Sequence, residues 1–250
     1  MKLKLIDIPI YYINLDEDDD KRKQTETILK CLGFKYVNRV SAIKHEKGRI
    51  TGCARSHYEV LKEAKPPFII IEDDCVLNKD FVNEIEIPDN ADAFYLGISH
   101  WGRYLNHSGP YVHYESINDE IVRVYNMLAT HAIMYLTETY VDICKRISYY
   151  YGYQVEGHID IGFAEIHKFY NVYSYDEPLF RQYDWNAVTS GKLSEVSISK
   201  EKSESLFNDI LKSDENYYKL NSEFKSPIKP LIEMRDVNGI PGYYLPTRIM

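Results

Sequence analysis

The stretch Pro67-Phe68-Ile69-Ile70-Ile71-Glu72-Asp73-Asp74 constrains this chain more than any other. Four consecutive branched or aromatic residues lead straight into three carboxylates. An apolar run without alternation is a strand covered on both faces, and Pro66-Pro67 ahead of it marks a turn. The carboxylates therefore stand at the strand's C-terminal end, the edge where open α/β sheets place their ligands. Three adjacent like charges repel, and burying a carboxylate unpaired is costly. A divalent cation removes that cost, and magnesium or manganese prefers carboxylate oxygen. Strand alternation puts Glu72 and Asp74 on one side and Asp73 on the other, so one face can hold a metal while the other holds a different group. An acidic cluster after a strand also occurs as a solvated loop or a helix N-terminus, and the cluster alone does not separate these readings.

The flanking chain repeats the strand-helix pattern. Ile8 to Leu15 is a second nearly continuous apolar run and reads as the first buried strand. The acidic turn Asp16 to Asp20 opens a helix to about Leu32, with Thr25, Ile28, Leu29 and Leu32 on one side and Gly33 as its stop. Phe34 to Val40 is the next strand. A helix starting at Thr51 or Gly52 follows, with Ala54, Tyr58, Leu61 and Ala64 at helical spacing. Its N-terminus, with Arg55, Ser56 and His57, can hold a phosphate or a nucleotide hydroxyl, or Ser56 and His57 are hydrogen-bonded inside the core.

Beyond the triplet the pattern predicts a short helix near Phe81 to Ile85 and a strand at Ala93 to Gly97. His100 to Pro110 reads as a loop over the site, and Tyr111–Tyr114 with Ile121–Asn126 as a hairpin or paired edge strands. Thr130 to Leu136 is a further strand, and Thr137 caps a helix to about Tyr151, ended by Gly152. Asp160 lies in the first turn of the next helix, where the dipole favours an ionised carboxylate, and a plain capping role is the alternative. Asn171 to Tyr175 is the last strand. Residues 191–250 are charged and serine-rich, then proline-containing, and read as an extension with a helix over Ser203 to Lys212. The expected organisation is an α/β domain over residues 1–190 followed by that extension.

Composition narrows the function. The net charge of -8 argues against nonspecific nucleic-acid binding, so an anionic ligand needs a local patch or a metal bridge. The 23 tyrosines suit polar, stackable surfaces such as sugar or base sites. Cys31, Cys53, Cys75 and Cys144 are scattered and form no C-x-x-C pair, which speaks against a structural zinc site and for reduced thiols in a cytoplasmic setting. No stretch approaches the roughly 18 apolar residues of a membrane span, and the N-terminus carries no signal-peptide pattern.

Four segments then occur in order between residues 8 and 185: Tyr12-Ile13-Asn14-Leu15-Asp16 with Arg22 beyond it, Thr51-Gly52-Cys53-Ala54-Arg55-Ser56-His57, Ile69-Ile70-Ile71-Glu72-Asp73-Asp74, and Ala129-Thr130-His131-Ala132-Ile133-Met134-Tyr135. Together they resemble glycosyltransferase family 25, which includes lipopolysaccharide-modifying and collagen galactosyltransferases. The first is similar to the family's opening strand and following arginine, the second to its Gly-Cys-x-x-Ser-His element. The third is similar to its Leu-Glu-Asp-Asp metal motif, and the fourth to its Thr-His-Ala-Tyr strand.

The resemblance implies a GT-A type fold with a mainly parallel central sheet flanked by helices. It also implies a UDP-sugar donor, a Mn2+ (or Mg2+) ion, and inverting transfer of a hexose, galactose or glucose, to a glycan, lipopolysaccharide or glycoprotein acceptor. Its metal ligands are Glu72 and Asp74. The nucleotide-sugar side falls to Asn14, Leu15, Arg22, Ser56, His57, Asp73 and His131, with His131 either lining the site or in the core. Asp73 and Asp160 are the catalytic candidates, Asp160 as the base on the acceptor side and Glu156 as the next candidate.

Two other classes remain. A sugar-phosphate nucleotidyltransferase would carry a glycine-rich basic loop after the first strand, where this chain has Asp16 to Asp20. A degenerate transferase domain that only binds glycan or nucleotide would not need the intact acidic triplet.

Overall fold

The computed structural model describes residues 1–104, 107–109, 112–195, 233–237 and 240–244. In chain order its first elements are strand β1 (Lys2–Lys4), strand β2 (Ile10–Asn14), helix α1 (Asp19–Leu32), strand β3 (Val37–Ser41), helix α2 (Arg49–Glu63) and strand β4 (Phe68–Glu72). Short strands β5 (Cys75–Leu77) and β6 (Glu84–Glu86) lead to β7 (Ala93–Tyr95), β8 (Gly102–Tyr104), β9 (His107–Gly109), β10 (Tyr114–Ser116), β11 (Ile121–Val124) and β12 (Ala132–Tyr135). Helices α3 (Glu138–Tyr149) and α4 (Ile159–Ile166), strands β13 (Val172–Tyr175) and β14 (Phe180–Gln182), and the short helix α5 (Asn186–Thr189) follow. A separate hairpin joins β15 (Glu233–Val237) to β16 (Ile240–Tyr244).

The architecture is α/β around one eight-stranded sheet of order β10-β11-β13-β7-β12-β4-β2-β3. The sheet is mixed rather than mainly parallel. β2 pairs parallel with β3 and β4, and β13 with β7, whereas β12 runs antiparallel to both β4 and β7, and β10-β11-β13 is an antiparallel edge. The apolar pattern could not distinguish these cases. β12 is buried along its whole length, so it reads like a parallel strand, because burial on both faces reports what covers a strand and not which way its neighbours run.

Alternate residues of β4 feed two cores. Phe68 and Ile70 join Ile13, Ala54, Val60, Leu61 and the α3 and α4 residues Tyr140, Ile147 and Phe163 on one face. Ile69 and Ile71 join Ile10, Tyr12 and the α1 residue Leu29 on the other. Helices α1 and α2 thus cover opposite faces. Phe68, Ile69 and Ile70 are wholly buried, and each such side chain contributes on the order of 1.5–3 kcal/mol. Because β3 and β4 flank β2 on opposite sides, the C-terminal ends of β2 and β4 lie side by side where the strand order reverses, the position at which open sheets form a ligand crevice.

Local signals account for most element ends. Gly33, left-handed at φ 81, closes α1 by donating to Leu29 and Lys30 carbonyls, and the Thr137 side chain caps α3 by accepting from the Tyr140 N–H. Several expectations are corrected. Helix α2 begins at Arg49, ahead of the expected Thr51 or Gly52. The segment Phe81–Ile85 holds no helix: Ile85 lies in strand β6, which pairs with β1, and the Phe81 ring packs against Phe34. Gly152 does not stop α3, because a π-helical turn over Tyr150–Gln154 continues the chain. Part of the loop expected over His100–Pro110 is the β8-β9 hairpin. The helix expected over Ser203–Lys212 lies outside the described residues. No helix among the described residues is long and apolar enough to cross a membrane.

One close approach fixes the start of α2 against the chain leaving β3. A Cβ on Gly52 would lie 2.2 Å from the Ile43 carbonyl oxygen, and that oxygen is backbone, which cannot swing away. Gly52→Ala should therefore cost on the order of 1–3 kcal/mol by overpacking. Chemical denaturation checks this, and a wild-type midpoint would contradict the close packing.

Candidate active site at the end of strand β4

β2, β4 and β7 all end at one sheet edge, and the antiparallel β12 begins there. This brings Asn14, the acidic triplet and Thr130 together from positions far apart in sequence. The strand direction changes after Glu72, so the three carboxylates take three separate environments.

Glu72 points towards α2. Its Oε1 accepts from Thr130 Oγ1 at 2.7 Å, shares a hydrogen bond with His57 Nε2 at 3.2 Å, and lies 4.0 Å from Cys53 Sγ. Its backbone N–H donates to the His131 carbonyl at 2.9 Å. Burial alone would raise its carboxyl, but the hydrogen bonds from His57 and Thr130 and the charge of His57 hold it below the ordinary carboxylate value.

Asp73 turns towards α1. Asn14 Nδ2 donates to its Oδ2 at 2.7 Å, and Lys21 Nζ stands 3.7 Å from its Oδ1. Burial raises its carboxyl, with Asn14 and Lys21 opposing. Asp74 is covered by the chain after β14. Gln182 Nε2 donates to its Oδ2 at 3.1 Å, and the Tyr183 N–H donates to its backbone carbonyl at 3.0 Å. Its Oδ1 is buried with no hydrogen-bond partner among the described residues. Burial, together with the charges of Glu72 and Asp73, pushes the Asp74 carboxyl up to about 7. A buried, unanswered carboxylate oxygen beside two further carboxylates fits a hard divalent cation.

The expected nucleotide-side residues divide. Asn14 is buried and central: besides holding Asp73 it accepts from Arg39 Nη2 at 3.0 Å, and Arg39 also holds Asp16 at 2.7 Å. Leu15 is partly buried at the following turn, where its carbonyl accepts from the Asp18 N–H. Arg22 is on α1, ion-paired to Asp19 at 2.7 Å. Ser56 is a structural clasp: its hydroxyl donates to the Gly52 carbonyl at 2.7 Å and accepts from the Ile43 N–H at 2.8 Å, all of it buried. His57 belongs to the Glu72 cluster. His131 belongs to the core, its Nε2 packed so closely on the Gly97 backbone that a Cβ there would sit 2.2 Å away. Burial lowers His131 to about 4, so it is neutral, and its backbone carbonyl is what reaches the site.

Asp160 occupies the first turn of α4, and His158 is the N-cap residue. Asp160 Oδ1 accepts from the Ile161 N–H at 2.9 Å and lies 3.9 Å from His158 Nδ1. Burial raises its carboxyl. The charge of Asp160 acts on Cys53 and that of Glu72 on Asp160, so the three lie in one electrostatic neighbourhood. Glu156 is committed elsewhere. It pairs with Lys47 and stands 3.9 Å from Arg55, at a left-handed φ of 53.

Cys53, Thr130 and Gln182 were not foreseen as site residues. Cys53 Sγ, His57 Nε2 and Glu72 Oε1 all lie within 4.8 Å of one another, and Asp73 and Asp74 are not members of that group. The Cys53-x-x-x-His57 spacing, one helical turn, was the available signal. Thr130 and Gln182 carried no such signal, because only the sheet order and the β5-β14 pairing bring them to the triplet.

No protein-family model matches the chain, and no curated protein sequence matches it significantly.

Asp74 makes a pH test available. Its folded value of about 7 lies above that of an unfolded aspartate. A raised folded value gives stability that is fully present in acid, below the unfolded value, and lost as the pH rises through about 7. Asp73 and Asp160 act in the same direction, and Glu72 in the opposite one. The histidines His113, His131 and His167, held low by burial, act in the opposite direction to Asp74 over the same range. The test is therefore the difference: in EDTA the melting temperature of Asp74→Asn should gain on that of wild type between about pH 4 and pH 7. A difference that does not change with pH would show that Asp74 does not titrate in this range.

Proposed function

We propose that the protein is a metal-dependent glycosyltransferase of GT-A type, similar to glycosyltransferase family 25. It moves a hexose, galactose or glucose, from a UDP-sugar to a hydroxyl of a glycan, lipopolysaccharide or protein acceptor, with inversion. The observation that carries this reading is the buried, unpartnered Asp74 oxygen beside Glu72 and Asp73, at the sheet edge where the strand order reverses. A chain of net charge -8 has little else with which to hold a diphosphate.

In this reading Glu72 and Asp74 hold Mn2+ or Mg2+, which when bound supplies Lewis-acid stabilisation to the departing diphosphate. Asp73, held by Asn14 and Lys21, keeps a fixed orientation towards the ribose. Arg22 and His57 lie at the nucleotide side. Ser56 and His131 support the site from the core and do not touch the nucleotide. An acceptor hydroxyl is a poor nucleophile until a base removes its proton. Asp160 suits that role: it is a raised carboxyl, is not the helix cap, stands on a different element from the triplet, and feels the charge of Glu72. The acceptor side also has exposed aromatic rings suited to stacking on sugar faces, Tyr183 at 68% and Trp185 at 54% exposure, just beyond the Gln182 that holds Asp74.

Release of UDP from a panel of nucleotide sugars, with manganese and with EDTA, tests the reading. Turnover of one UDP-hexose in manganese and none in EDTA is expected. UDP binding of equal strength in EDTA would remove the metal bridge, and binding without turnover of any sugar would favour a degenerate, binding-only domain. Asp160→Asn keeps the side chain's size, so turnover should fall by roughly 100-fold or more, with UDP affinity and melting temperature close to wild type. Normal turnover in that variant would exclude Asp160 as the base.

A further inference from the structure

Helix α2 presents Cys53 and His57 on one face, a single turn apart, and the end of β4 brings Glu72 against both. His57 Nε2 is 3.2 Å and Cys53 Sγ 4.0 Å from Glu72 Oε1, and all three donor atoms lie within 4.8 Å of one another. We propose that Cys53, His57 and Glu72 form a second metal site, selective for a borderline transition ion such as zinc or cobalt, that shares Glu72 with the oxygen end at Asp74.

Donor chemistry separates the two ends of the triplet. A thiolate and an imidazole add little for magnesium, but they are preferred ligands of zinc and its neighbours. With bonds of about 2.0–2.3 Å, tetrahedral geometry sets donors about 3.3–3.8 Å apart, so the Glu72 pairs at 3.2 and 4.0 Å need only small adjustments, and the Cys53–His57 pair, within 4.8 Å, closes by up to about 1 Å. Thr130 Oγ1 already fixes the Glu72 carboxylate at 2.7 Å, as an outer-shell partner does in metal sites.

Glu72, Asp74 and Asp160 put negative charge around Cys53, which favours entry of a dication. When a dication enters, the Sγ–H bond of Cys53 and the Nε2–H bond of His57 that faces Glu72 both break, their protons leave to solvent with His57 keeping one on Nδ1, and the freed sulfur and Nε2 lone pairs form the bonds to the metal. Three protein ligands leave a fourth position open, and Cys53 is only partly buried, so the ion can exchange. His57 Nδ1 is buried without a partner among the described residues. Ligation through Nε2 leaves an unanswered N–H there, which makes the site exchangeable rather than a locked structural one. None of this depends on the glycosyltransferase reading.

Cobalt titration of the full chain in a Cys31→Ser background, which removes the exposed thiol, tests the site. The parent should develop a near-ultraviolet sulfur-to-cobalt charge-transfer band that saturates at about one ion per chain. Adding Asp74→Asn should leave the band, and adding Cys53→Ser should abolish it. No band in the parent, or a band that survives Cys53→Ser, overturns the proposal. X-ray absorption of the parent with one equivalent of zinc decides the matter without a site variant. A single sulfur scatterer at about 2.3 Å is expected, and a shell of oxygen and nitrogen alone overturns it.

Discussion

Burial of β4 between two helical layers is the constraint on which the rest depends. A strand covered on both faces must deliver its last residues, with whatever charges they carry, into the rim of the core. Glu72 is therefore desolvated before any ligand arrives, and the structure answers it with His57, Thr130 and the His131 backbone. Asp73 is answered by Asn14 and Lys21. Asp74 is answered on one oxygen only. In a low-dielectric setting an unanswered carboxylate either takes a proton or takes a cation, so the unmet partner of Asp74 is what turns this strand end from a structural junction into a candidate site.

The same burial explains what the sequence could and could not convey. Ile10 to Asn14, Phe68 to Glu72 and Ala132 to Tyr135 were legible as strands because both faces of each are apolar. Gly33 and Thr137 were legible as helix ends because their chemistry is local. The direction of β12 was not legible, since an antiparallel strand between two covered neighbours carries the same apolar run. The segment near Phe81 failed for a related reason: the isolated apolar residues Phe81 and Ile85 satisfy a helix template and a short paired strand equally well. For the site, the triplet was evident from the residues themselves, and Asn14 came only with the family resemblance. Thr130 and Gln182 reach it only through long-range pairing, which no local pattern encodes.

Ser56 and His131 show how polar residues in a site-like segment come to serve the core. Both are polar, both stand in segments that bear on the site, and both are buried. Ser56 spends its hydroxyl on two backbone groups, tying the chain after β3 to α2. His131 packs on Gly97, where any side chain would collide with its ring. Their side chains hold the frame in which Glu72 and Asn14 are placed. Separating such residues from ligands requires knowing where each polar atom already makes its bonds.

A strand end has two faces, and here they differ in chemistry. The α2 face offers sulfur, imidazole and one carboxylate oxygen, already drawn together around Glu72. The face towards α1 and the chain after β14 offers carboxylate oxygens backed by an amide and an ammonium. Glu72 is the hinge between them, with Oε1 engaged by Thr130 and His57. Its charge acts on both Cys53 and Asp74. In the two-site proposal an ion at the softer end would draw on Glu72 and relieve part of the repulsion that raises Asp74, which links the two ends through the side chain that terminates β4.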